Sequence, residues 1–123
     1  MDDIKLFAAE YKFMCVIWEH EPVNSTELVK LARDQLGWKK STTYTMLRKL
    51  AERGMVQNEN ATVTARVPKH KVQERESREF LDRLYNGSLK MFLVSFLDHD
   101  EISAEEAAEL KKIIDEKTRG RGK

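Results

Sequence analysis

The apolar positions of this chain fall into helical registers over most of its length and into strand-like runs only once. Over residues 5–19, KLFAAEYKFMCVIWE, Leu6, Phe7, Tyr11, Met14, Ile17 and Trp18 recur at helical spacing, and Phe13 and Val16 widen the stripe. This predicts a well-buried first helix that His20, Glu21 and Pro22 close. Val23 can add a short edge strand. A second helix follows over Ser25 to Leu36, with Asn24 or Ser25 as its cap and Gly37 as its stop, since glycine adopts the left-handed C-terminal conformation cheaply. The third runs over residues 41–53 and ends at Gly54. After Gly54 the period shortens. Met55-Val56 reads as a short extended run, Gln57–Ala61 as a polar turn, and the β-branched Thr62–Val67 as a second strand, which makes a small hairpin ending at Pro68.

Beyond Pro68 the pattern is helical again. Residues 69–86 form a long charged helix whose stripe, Val72, Phe80, Leu81, Leu84 and Tyr85, strengthens toward its C-terminal end before Gly87. Residues 88–97, SLKMFLVSFL, are apolar on nearly every side and predict burial from two sides. Ser103 and Glu106 stand at capping-box spacing ahead of a last helix with Ala107, Leu110, Ile113 and Ile114 on one face. The tail TRGRGK is expected to fray. The fold class is therefore mostly α with a small β-hairpin: a winged helix-turn-helix domain over residues 1–68 and a helical dimerisation domain over residues 69–123. Three helices of this size hold too little core to stand alone, and a second copy of the same region is the simplest cover. Packing back on the winged domain is the alternative.

Charge sharpens the picture at one place. The 123 residues carry a formal charge of only +1, so the chain is not a general polycation. Yet Trp38 to Lys49 holds four cations and no carboxylate. The third helix sorts into a core side, Thr43, Met46, Leu47, Leu50 and Ala51, and an outer side with Ser41, Thr42, Thr45, Arg48, Lys49 and Glu52. Lys39 and Lys40 stand at its N-terminus, where cations oppose the helix dipole. Local stability does not explain them; an external anion does. Short hydroxyl side chains between the cations suit approach to phosphates and base edges. Lys39, Lys40, Ser41, Thr42, Thr45, Arg48 and Lys49 are thus the candidate DNA-binding residues, with Lys39, Lys40 and Lys49 for phosphates and Thr42, Thr45 and Arg48 for bases. A basic but merely solvated surface helix is the plain alternative. The hairpin tip Asn58-Glu59-Asn60-Ala61 carries an acid and no cation, which argues against a strong phosphate contact there.

Other chemistry is sparse. One cysteine, Cys15, excludes an internal disulfide and reads as a small core residue. His20, His70 and His99 lie far apart. His99, in an acidic loop, supports only a minor alternative of a metal-sensing regulator, and His20 reads as a partner of its helix dipole. No catalytic motif, cofactor or metal is expected. The acidic N-terminus and the lack of a long apolar run point to a cytoplasmic protein that does not insert into a membrane.

With these residues laid out, the chain resembles the penicillinase-repressor family of BlaI/MecI/CopY-like winged-helix repressors. EYKFMCVIW, GWKKSTTYTMLRKLAERG and FLDRLYNGSLKMFLVSFLDHDEISAEEAAEL carry the likeness, in the same order along nearly the whole chain. The resemblance implies a homodimeric transcriptional repressor on a palindromic double-stranded DNA operator, controlling resistance or stress genes. The dimer would rest on Leu81, Leu84, Tyr85, Leu89, Phe92, Leu93, Phe96, Leu97 and Leu110. In the beta-lactam branch a membrane sensor-protease triggers cleavage of an Asn-Phe bond. That position falls at Ser95-Phe96, where Phe96 matches and Ser95 departs. The paired C-terminal cysteines of the copper branch are missing. The usual basic residue near the wing tip is also missing. A winged-helix module that binds an acidic protein surface is the rival reading.

Overall fold

A computed structural model describes residues 6–119. Helix α1 spans Ala8–His20, strand β1 Val23–Asn24, α2 Ser25–Leu36, α3 Lys40–Glu52, β2 Val56–Glu59, β3 Thr62–Ala65, α4 Lys69–Tyr85, α5 Leu89–His99 and α6 Ala104–Arg119. The expected order of elements is present, and each departure has a local cause. Helix α1 starts at Ala8, because the Phe7 amide donates to the Glu10 carboxylate at 2.9 Å and Phe7 is the N-cap. Phe7 is therefore exposed rather than on the buried stripe, whereas Leu6 is buried. Cys15 is half-buried, so it is not fully part of the core. Lys5 and residues 120–123 of the tail lie outside the described residues; Thr118 and Arg119 are helical.

Contacts along the chain divide it into two compact units, residues 1–79 and 80–123. The first is a three-helix cluster closed by a small sheet. Phe13, Met14 and Ile17 of α1 meet Leu28 and Ala32 of α2, Thr43, Leu47 and Leu50 of α3, then Met55, Val56, Val63 and Val72, and every one is essentially inaccessible to water. Burial of large apolar side chains such as these is the main favourable term in its stability. Trp38, in the α2–α3 connection, packs against Phe13 with ring centroids 5.1 Å apart. Asn24 caps α2 by accepting from the Thr26 amide at 2.8 Å, and Gly37 ends it at φ 73°. The turn between α2 and α3 is therefore short, with Gly37 ending α2 and Trp38 held on Phe13.

The sheet has three strands in the antiparallel order β1-β3-β2, the hairpin being joined by the edge strand expected at Val23. Val23 pairs with Val63 and Asn24 with Thr62. Gln57, Asn58 and Glu59 belong to β2 and pair with Thr64, Val63 and Thr62. The polar turn expected over Gln57–Ala61 shrinks to Asn60-Ala61, both left-handed at φ 55° and 65°. That is the two-residue hairpin turn whose twist matches that of paired strands. Alanine is poorly suited to a left-handed position. Ala61→Gly is expected to stabilise the unit by about 1 kcal/mol in chemical denaturation. His99 is likewise in the last turn of α5 and not in a loop.

In the second unit Ser88 caps α5 by accepting from the Met91 amide at 3.0 Å, and Ser103 caps α6 through the Glu106 amide at 3.0 Å. Phe80, Tyr85, Phe92 and Phe96 form an aromatic cluster with centroids 5.5–6.0 Å apart. The Tyr85 hydroxyl lies 3.4 Å from Ser95 Oγ. Neither α5 nor α6 has a fully buried residue, and Leu84, Leu89, Met91, Val94, Phe96, Leu97, Leu110, Ile113 and Ile114 stay exposed.

Candidate nucleic-acid interface

Helix α3 begins one residue earlier and ends one residue earlier than its sequence pattern suggests. Its inward side is fixed by Thr43, Leu47 and Leu50, each at most 2 % exposed. Thr43 also ties itself down, its hydroxyl donating to the Lys39 carbonyl at 3.2 Å. With that side held, the 3.6-residue period turns Ser41, Thr42, Thr45, Arg48 and Lys49 outward. All five are exposed, as are Lys39 and Lys40 at the start of the helix. All seven candidate residues are therefore exposed, five along the outer side of α3 and two at its start.

The N-terminus of α3 is built differently from those of α2, α5 and α6. Those three are capped by Asn24, Ser88 and Ser103. The N-cap of α3 is Lys39, with no side-chain cap and no acid in the first turn. Its leading amides thus keep their hydrogen-bonding capacity, and two cations flank them. Free amides, a positive dipole end and lysines together form a site for an oxyanion.

Met46 was expected in the core and is only half-buried. It packs on the core with one edge. With Ser41, Thr42, Thr45 and Lys49 it also lines a depression of about 230 Å³ on the outer face. The signal lay in its spacing: Met46 is four residues from Thr42 and three from Lys49, so it borders both sides of the helix.

A second feature escaped the pattern reading. Glu10 is buried, and its carboxylate takes both the Phe7 amide and Arg53 Nη1, the latter at 3.1 Å. Arg53 is the C-cap of α3. The start of α1 thus clamps the end of the outward-facing helix. The partners stand 43 positions apart, so no local pattern could have linked them. Glu10→Ala is expected to lower stability by about 1–3 kcal/mol in urea denaturation. That is less than a fully buried pair costs, because Arg53 keeps partial access to water.

The hairpin reaches little beyond the sheet. The Ser25 amide donates to the Ala61 carbonyl at 2.8 Å, which draws the tip toward the start of α2. The exposed Glu59 carboxylate accepts from the Gln57 amide group beside it. Glu59→Lys replaces a charge that repels phosphate with one that attracts it. The change is expected to raise affinity for any duplex about three- to tenfold at low salt and to steepen the salt slope by about 1.

Comparison with known proteins gives this face its context. The family model described as "Penicillinase repressor" matches residues 6–116. The chain belongs to the penicillinase repressor family. It is 33% identical over 112 residues to the penicillinase repressor of Bacillus licheniformis, covering 88% of each chain. It is 21% identical over 117 residues to the methicillin resistance regulatory protein MecI of Staphylococcus aureus, covering 92% of this chain and 95% of that one. The family is one of regulatory repressors, not enzymes, and the chain is a DNA-binding transcriptional regulator. Among the described residues no three His, Cys, Asp or Glu side chains gather as a metal site, and no helix is long and apolar enough to cross a membrane.

Proposed function

We propose that the protein is a homodimeric repressor that reads a palindromic operator with α3 and is induced by disruption of its C-terminal helices. The observation that carries the DNA-reading part is the uncapped, lysine-flanked start of α3 above an open row of hydroxyls and cations. Lys39, Lys40 and Lys49 hold phosphates. Ser41 sits among the free amides, and Thr42, Thr45 and Arg48 reach base edges, with Arg48 suited to guanine.

The dimer reading rests on the second unit. Its described helices leave a large apolar surface in water and bury no side chain of α5 or α6 completely. So few residues with so much exposed apolar surface do not make a stable fold alone. Leu81, Leu84, Tyr85, Leu89, Phe92, Leu93, Phe96, Leu97 and Leu110 supply the surface that a second copy covers. Helix α4 is the first element of the dimerisation segment, residues 69–123, and follows directly on the reading head, residues 1–68. A two-fold dimer presents two α3 helices to two half-sites.

Induction acts where the dimer is held. Ser95 and Phe96 lie inside α5, with Ser95 half-buried beside Tyr85. A protease would have to open that helix to cut there, and cutting would remove the dimer surface. A membrane sensor-protease is one partner that could open it; loosening of the dimer without a cut is the other route to the same loss.

Light scattering on the full chain, alone and with duplexes enriched from a random pool, tests the proposal. Two chains per duplex and inverted-repeat symmetry in the enriched sequences are the expected result. A monomer, or a pool without enrichment, contradicts it.

A further inference from the structure

The outer face of α3 is not uniformly polar. Ser41, Thr42, Thr45, Met46 and Lys49 surround a shallow depression of about 230 Å³, and Met46 is its one wholly apolar side chain. The γ-methyl groups of Thr42 and Thr45 and the methylene stem of Lys49 add apolar surface around it. A half-buried methionine in a helix face otherwise made of hydroxyls and cations leaves apolar area facing water, where it gains nothing.

The major groove offers one group that matches. Base edges there present hydrogen-bond donors and acceptors, and thymine alone among the four bases adds a methyl group, at C5. Methionine is unbranched and polarizable, and it adapts to an irregular apolar neighbour. We propose that this depression receives the 5-methyl group of an operator thymine, with Met46 as its floor and Thr42 and Thr45 at its rim. Met46 is then a specificity-determining residue, although it donates no hydrogen bond to a base. The inference rests on the reading of α3 as the DNA-reading helix. It adds a base identity to that reading: thymine is selected against cytosine and uracil by burial of one methyl group.

Deoxyuridine isolates that group, since it pairs as thymine does and lacks only the methyl. The full-length protein is first used to enrich a duplex from a random pool. Each thymine of that duplex is then replaced singly by deoxyuridine. The expected result is a loss of about three- to tenfold in affinity at one thymine of each half-site and little change elsewhere. Met46→Ala is expected to make the thymine and uracil duplexes bind alike. Met46 also touches the core, so Thr45→Ser provides a second variant. Thr45 is exposed, and the change removes one rim methyl while keeping the hydroxyl; it is expected to shrink the uracil penalty. A flat uracil scan on an enriched duplex overturns the thymine site and leaves the repressor reading standing. A penalty undiminished in both variants also overturns it. A pool with no enrichment overturns both.

Discussion

Leu97→Asp is expected to yield a monomer whose residues 6–79 remain folded and whose operator affinity falls about a hundred- to ten-thousandfold. Leu97 lies on α5 and is 45 % exposed in the single chain. In the proposed dimer it is covered by the second copy, and an unpaired carboxylate in an apolar interface is strongly unfavourable. Once the copies part, each reading head meets its half-site from free solution, and the effective-concentration gain of the linked pair is gone. Leu97 is a better choice than Phe92, which packs against Phe80, Tyr85 and Phe96 of its own chain. A charge at Phe92 would damage the unit itself as well as the interface. Light scattering at low micromolar concentration, with circular dichroism to show that the helices persist, provides the check. A retained dimer removes Leu97 from the interface.

Arg48→Ala and Lys40→Ala are expected to fail in different ways. Arg48 is exposed on the outer side of α3. Its fork can hold two acceptors on a guanine edge, so its loss is expected to erase about 1–3 kcal/mol of discrimination at one base pair. Lys40 stands in the first turn of α3, beside the free amides. Its loss is expected to weaken enriched and shuffled duplexes alike and to lower the salt slope by about 1. Competition binding on single-base variants of the enriched duplex separates the two effects. Equal loss of discrimination from both variants contradicts this division of labour.

What was legible in the chain follows from how local each signal is. Helix α3 could be placed to within one residue because Thr43, Leu47 and Leu50 keep a 3.6-residue period against a side made mostly of hydroxyls and cations. The caps at Gly37 and Ser103 could be read from residue type alone, since each satisfies groups within a turn of itself, while residue type left the cap of α2 open between Asn24 and Ser25 and the structure has Asn24. The hairpin turn could not. Asn60-Ala61 is a weak signal beside Asn-Gly, and Gln57, Asn58 and Glu59 have little strand preference. Pairing with Thr62–Thr64 decides their state. The Glu10–Arg53 clamp joins residues far apart in sequence, so it becomes visible only when α1 and α3 are packed. Met46 was assigned to the core because a binary apolar pattern has no class for a side chain that serves both sides of a helix.

The central claim is that the outer face of α3 meets a phosphate backbone and reads the bases beneath it. The most direct test is a salt titration of the full chain on its enriched duplex and on a shuffled duplex of the same composition. The account predicts affinity falling linearly on logarithmic axes with a slope of several units for both, and an enriched duplex bound about a thousandfold or more tighter throughout. Binding that ignores salt, or two duplexes bound alike, would contradict it and would favour an acidic protein surface as the partner of α3.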